Sequence, residues 1–155
     1  MKRSISLTLL VLGLGAVVVA TGVVLQPTKN DLPSMVVYKS PTCGCCVKWV
    51  EHMENAGFEV ESRDMRDMGA IKSQLGVPRS VGSCHTAVID GYIVEGHVPP
   101  EHVERLLEER PDIRGIAVPG MPIGSPGMEG PNPEPYDVVT FDENGSTGIF
   151  ARVEL

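Results

Sequence analysis

The chain has 155 residues, a formal net charge of -7 at pH 7, four cysteines, 17 glycines and 13 prolines. That length suits one domain plus a leader. The acidic balance argues against a nucleic-acid partner.

Lys2 and Arg3 precede an uncharged stretch from Ile5 to Leu25, ISLTLLVLGLGAVVVATGVVL. Residues 1–25 therefore read as a targeting element outside the fold. Two forms fit. As a cleaved secretory signal, Ile5 to Val17 is the apolar region and Val18 and Ala20 are the small cleavage-site residues. As a retained anchor, the 21 residues of 5–25 just span a bilayer. Lys2 and Arg3 then stay cytoplasmic, and the segment tethers the chain to the membrane. In both forms the remainder is exported. No cysteine precedes Cys43, which excludes a lipid-modified N-terminal cysteine.

Residues 26–33, QPTKNDLP, read as a polar linker, and 34–155 as the domain. SMVVYKS (34–40) predicts a short buried strand. Pro41 and Thr42 turn the chain, and Thr42 is a helix-capping residue type. VKWVEHMENAG predicts a helix with Val47, Val50 and Met53 on one stripe, Trp49 beside them and Gly57 as the stop. FEVESRDM (58–65) alternates as a strand, and MGAIKSQLG (68–76) is a short helix. Asp90-Gly91 between two β-branched runs predicts a hairpin with a two-residue turn. PPEHVERLLEERPD is a helix with Pro100 in its first turn, a Val103, Leu106 and Leu107 stripe, and Pro111 as its end. The Gly/Pro-rich IRGIAVPGMPIGSPGMEGPNPEPY reads as a long irregular loop, of the kind that either has a job of its own or is disordered. A second hairpin around Asn144-Gly145 closes the chain.

The order β-α-β-α-β-β-α predicts an α/β, thioredoxin-like domain: a mixed central sheet flanked by helices, then the C-terminal loop and hairpin. Val77-Pro78 lies where such folds often place a cis proline. The fold analogy leaves function open.

SPTCGCCVKW (40–49) puts three thiols where the first strand runs into the first helix. Cys43 and Cys46 have the C-x-x-C spacing of thiol-disulfide oxidoreductases. A helix N-terminus favours thiolate, which serves redox chemistry and metal binding equally. Cys45 tips the balance, because a dithiol catalyst gains nothing from a third thiol that can trap the wrong disulfide. Neighbouring thiolates suit a soft metal that accepts bridging sulfur, with copper(I) the best match. Zinc and a structural disulfide stay open.

The Asp90-Gly91 hairpin adds a second line. Counting outward from its turn pairs Ile89 with Tyr92 and, five steps on, Cys84 with His97. Directly paired residues have Cβ atoms about 4.5–5.5 Å apart on one face. A thiol and an imidazole should thus project together, with His85 on the opposite face. His52 and His102 lie on helices and read as solvent-facing. Met121 and Met128, in VPGMPIGSPGME, are soft thioethers in a loop with little core role, so they join the candidate ligands. Met53, Met65 and Met68 read as core or helix-surface residues. No phosphate loop, dinucleotide fingerprint, Ser/His/Asp set or paired carboxylates stand out. The chain reads as a metal-binding protein more than as an enzyme.

SPTCGCCVKWVEHM, SCHTAVIDGYIVEGHVP and GIAVPGMPIGSPGMEG together resemble the family of small exported bacterial metal-binding proteins that includes CopG-type copper-resistance proteins. The resemblance runs from about residue 35 to 141. It implies a thioredoxin-like fold in the periplasm, soluble after cleavage of the leader or anchored to the inner membrane. It implies copper(I) in a multinuclear, thiolate-bridged cluster, a role in copper resistance, and a change of copper oxidation state. Other periplasmic copper-handling proteins are the implied partners. Carried onto this chain, the core ligands are Cys43, Cys45 and Cys46, with Cys84 next. His97, Met121 and Met128 lie in the same motifs. Two other function classes stay in play: an oxidoreductase using Cys43 and Cys46, and a disulfide-stapled binding module.

Overall fold

A computed structural model describes residues 32–154 of the protein. The leader at 1–25 and most of the linker at 26–33 lie outside the described residues. Among the described residues, no helix is long and apolar enough to cross a membrane.

Strand β1 (Met35–Lys39) buries alternate residues Met35, Val37 and Lys39. Helix α1 (Gly44–Ala56) starts three residues before the apolar periodicity does, because Cys43 and not Thr42 is its N-cap. The Thr42 hydroxyl lies 3.2 Å from that of Ser40 instead. Gly57, at φ 103, ends the helix as the sequence signals. Strand β2 (Val60–Asp64) returns parallel to β1. Helix α2 (Met68–Leu75) is capped by the Asp67 carboxylate on Ala70 N–H at 2.9 Å. The Val77-Pro78 bond is trans.

Strands β3 (Thr86–Ile89) and β4 (Tyr92–Glu95) form the predicted hairpin. Asp90 and Gly91 both have positive φ, 46 and 86, which is the turn that matches strand twist. The register is the predicted one from Ile89–Tyr92 out to Thr86–Glu95. Helix α3 (Pro100–Glu109) has proline in its first turn and buries Val103 and Leu106. The tail is less irregular than its composition implies. Gly115–Ala117 form β5, parallel to β4. A Cβ at Gly115 would lie 2.1 Å from Ile93 O, so only glycine allows this approach. Strands β6 (Tyr136–Phe141) and β7 (Thr147–Val153) are the second hairpin, its turn tied by Asp142 Oδ1 accepting from Asn144 and Ser146 N–H.

The seven strands make one mixed sheet in the order β2-β1-β3-β4-β5-β6-β7. Its element order through α3 is the predicted one, with β5 to β7 added at one edge. Trp49, Val50 and Met53 of α1 and Val103 and Leu106 of α3 pack on one face against Met35, Val37, Ala87 and Val94. Val77, Val81 and Leu75 cover the other against Ile93, Ala117 and Phe141. The two faces carry alternate residues of β3 and β4, as a pleated sheet requires. The thiol-bearing end of α1 therefore sits over the sheet end away from the Asp90-Gly91 turn.

Candidate metal centre

The β1–α1 junction sets the first three thiols. Cys43 caps the helix, and Cys45 and Cys46 occupy its first turn. Cys46 is fully buried, while Cys43 and Cys45 are half-exposed. A disulfide joins Cys43 to Cys46, with Cα atoms 5.3 Å apart, and Cys45 is free. Cys45 Sγ lies 3.5 Å from Cys43 Sγ. Cys84, distant in sequence, brings its sulfur to the same place. The four sulfurs all lie within 4.8 Å of one another.

The hairpin delivers Cys84 and His97 together, with Cys84 Sγ 3.0 Å from His97 Nε2. His85 is a correction: its Nδ1 lies 3.3 Å from the same sulfur. Counting residues placed it on the far face, because that count assumes a continuous ladder. The ladder stops at Thr86–Glu95. Beyond it the chain bends at Cys84, and Gly96 takes φ 73. The α1 face is the one His85 already occupies, its ring 4.4 Å from the Trp49 ring. The bends carry Cys84 and His97 over the sheet end to join it. Cys84, His85 and His97 form a second ligand-capable set that shares its thiol with the first.

Hydrogen bonding fixes one tautomer. The Pro126 carbonyl, 2.7 Å from His97 Nδ1, can only accept, so Nδ1 carries the proton. His97 Nε2 then presents a lone pair to Cys84. Burial lowers the affinity of His97 for a second proton, and lowers that of His85 much further. Both rings are neutral near pH 7, the form that ligates metal. Among the described residues, His85 Nε2 is buried with no hydrogen-bond partner. Burial, reinforced by neighbouring Cys45, pushes the Cys84 thiol up to about 12. A soft cation would offset that cost by taking the thiolate.

The Gly/Pro loop covers the site through Gly127, where an added Cβ would lie 2.7 Å from Cys45 O and 3.4 Å from His97 Nδ1. The loop is ordered by itself: Ser125 Oγ donates to Pro122 O at 2.7 Å, and Met128 N–H to Ser125 O at 2.8 Å. Glu129 latches it to α1, 2.7 Å from His52 Nε2. The Gly127 N–H donated to Glu129 holds that carboxyl down at about 2. Met128 adjoins this contact and is half-buried, whereas Met121 is 46% exposed. His52 is solvent-facing as read. His102 is not: it is half-buried edge-on against Phe150. Met53 is core.

A family profile described as "Protein of unknown function, DUF411" matches residues 81–128. No curated protein matches the chain. One similar solved structure, described as "Copper resistance protein copG- Form 1", is 47% identical with a TM-score of 0.74, covering 79% of this chain and 98% of that one. Another, "Copper resistance protein copG- Form 2", is 46% identical with a TM-score of 0.75, covering 80% and 100%. With that identity over nearly the whole of both relatives, the chain belongs to the CopG family.

Proposed function

We propose that this is a periplasmic, thioredoxin-like copper(I)-binding protein of copper resistance. In its reduced form it holds copper on Cys43, Cys45, Cys46 and Cys84 as a thiolate-bridged cluster. His97, Met121 and Met128 complete the ligand set. The observation that carries this reading is the meeting of four sulfurs within 4.8 Å, three from one helix turn and one from across the sheet. Thiolate bridging suits copper(I) by softness, and the relatives' description as copper resistance proteins supports the metal. The protein's part is to hold the sulfurs in register and keep both imidazoles neutral.

The Cys43–Cys46 disulfide supports a redox cycle. Two copper(II) ions each take one electron as the two thiolates lose one each and join in one S–S bond. Copper(I) then binds the remaining thiolates, and an external dithiol restores the pair. The same disulfide favours a second reading, thiol-disulfide exchange through Cys43 and Cys46 alone.

Anaerobic titration of the reduced protein with copper(I) against a chromophoric chelator separates them. Several tightly held ions per chain are expected, with retention falling about tenfold or more in Cys45→Ser. A protein that holds one weak ion, and whose Cys45→Ser variant still exchanges disulfides at the parent rate, is an oxidoreductase.

A further inference from the structure

The sheet face opposite α1 carries a buried charged cluster whose side chains, Glu95 and Lys72, are not among the proposed copper ligands. The Glu95 side chain is fully buried and that of Lys72 is 16% exposed. Glu95 Oε1 accepts from Lys72 Nζ at 2.5 Å and from Ser83 N–H at 2.5 Å. Glu95 Oε2 accepts from the Thr86 hydroxyl at 2.6 Å. Lys72 Nζ also reaches Thr86 Oγ1 at 2.9 Å and the His85 carbonyl at 3.4 Å.

These bonds share one destination. They grip residues 83, 85 and 86, on both sides of Cys84. Here the β3 ladder has ended, and a backbone bond, Gly96 N–H to His85 O at 3.1 Å, ties the bend to the segment that follows β4. The Glu95 carboxylate supplies what a strand partner would have supplied to Ser83. Gly96 tightens the same point, since a Cβ there would lie 2.6 Å from Ser83 Oγ. A buried ion pair is weak evidence for stability, because desolvation offsets its attraction and apolar replacements are often as stable. Its best-attested use is to specify one arrangement.

We propose that Glu95, held by Lys72, is a positioning residue that fixes the Cys84–His85 bend so that the Cys84 thiol faces the α1 thiols. The network acts through the backbone, from the sheet face opposite the site. Its link to copper rests on Cys84 being a ligand; its effect on the thiol does not.

Two variants separate reach from charge. Glu95→Gln keeps the length and an oxygen that accepts from Ser83, and Thr86 can accept from its amide. Glu95→Asp keeps the charge but withdraws it by about 1.5 Å. The first readout is the rate of iodoacetamide labelling at Cys84 in the reduced, metal-free protein, resolved by mass spectrometry, with Cys45 as internal reference. Glu95→Gln should label within about threefold of the parent, and Glu95→Asp about tenfold faster, because the bend opens more often. Copper(I) retention against a chelator should follow the same order, with about a tenfold loss in Glu95→Asp. Parent-like labelling in Glu95→Asp, or fast labelling in Glu95→Gln, overturns the positioning role. Parent-like copper retention in Cys84→Ser would remove Cys84 from the ligands, and the labelling order would still judge the positioning.

Discussion

Gly127 shows how one atom governs the site. Its φ is 84, and a Cβ would fall 2.7 Å from Cys45 O and 2.9 Å from Trp49 N, both backbone atoms that cannot step aside. Gly127→Ala should therefore lift the loop from α1. Hydrogen exchange across residues 119–130 should rise and copper(I) retention should fall about tenfold, while the β3–β4 hairpin keeps its protection. Unchanged exchange in the loop would show that the contact is not what seats it. At this scale the sequence is partly legible. Cys84 and His97 are legible as neighbours because the Asp-Gly turn fixes register as far as Thr86–Glu95, and the bends beyond it carry the two residues the same way. His85 escaped the same count, since nothing in SCHT marks where the ladder ends. The role of Pro126, an acceptor through its carbonyl, has no side-chain signature at all.

Among the elements, α1 links the core to the site. Trp49 is fully buried, donates Nε1–H to Val98 O at 2.8 Å and packs on His85. Trp49→Phe keeps most of the apolar contact but strands that carbonyl in the interior. It should cost about 1–3 kcal/mol, read as a lower urea midpoint with an unchanged slope. A loss well below that would mean the carbonyl finds water. The periodicity of Val47, Val50 and Met53 announced this helix but not its first turn. Gly44, Cys45 and Cys46 enter the helix because the chain leaving β1 must turn there, which is a tertiary demand. Strand β5 was hidden for a related reason. Three residues, Gly-Ile-Ala, inside a Gly/Pro-rich tail carry no local strand signal. They become a strand because β4 offers an unpaired edge and Gly115 can approach it.

For the molecule as a whole, Tyr136 couples folding to alkaline pH. Burial, aided by the Glu101 carboxylate, pushes its phenol from 10 up to about 12. The fold thus favours the neutral phenol, while the unfolded chain ionises at the lower value. The contribution is fully present below pH 10, falls as pH rises, and is gone above about 12. The rise from 10 to about 12 sets a ceiling of ~3 kcal/mol, which solvent screening of the partly accessible phenol lowers to ~2 kcal/mol. Chemical denaturation between pH 9 and 12 should show a shallower stability loss in Tyr136→Phe than in the parent. Cys84 titrates over part of the same range in both proteins, so the difference between them isolates the phenol. Identical curves would mean that the phenol ionises in place.

Strand β1 gives the molecule a polarity. Met35 pairs with Ile89 beside the Asp90-Gly91 turn, and Tyr38 pairs with Thr86 beside the bend at Cys84. Chain entry and sulfur cluster are thus at opposite poles, separated by about 16 Å of strand. Whatever reaches the thiols therefore meets a pole of the domain that the entering chain does not share.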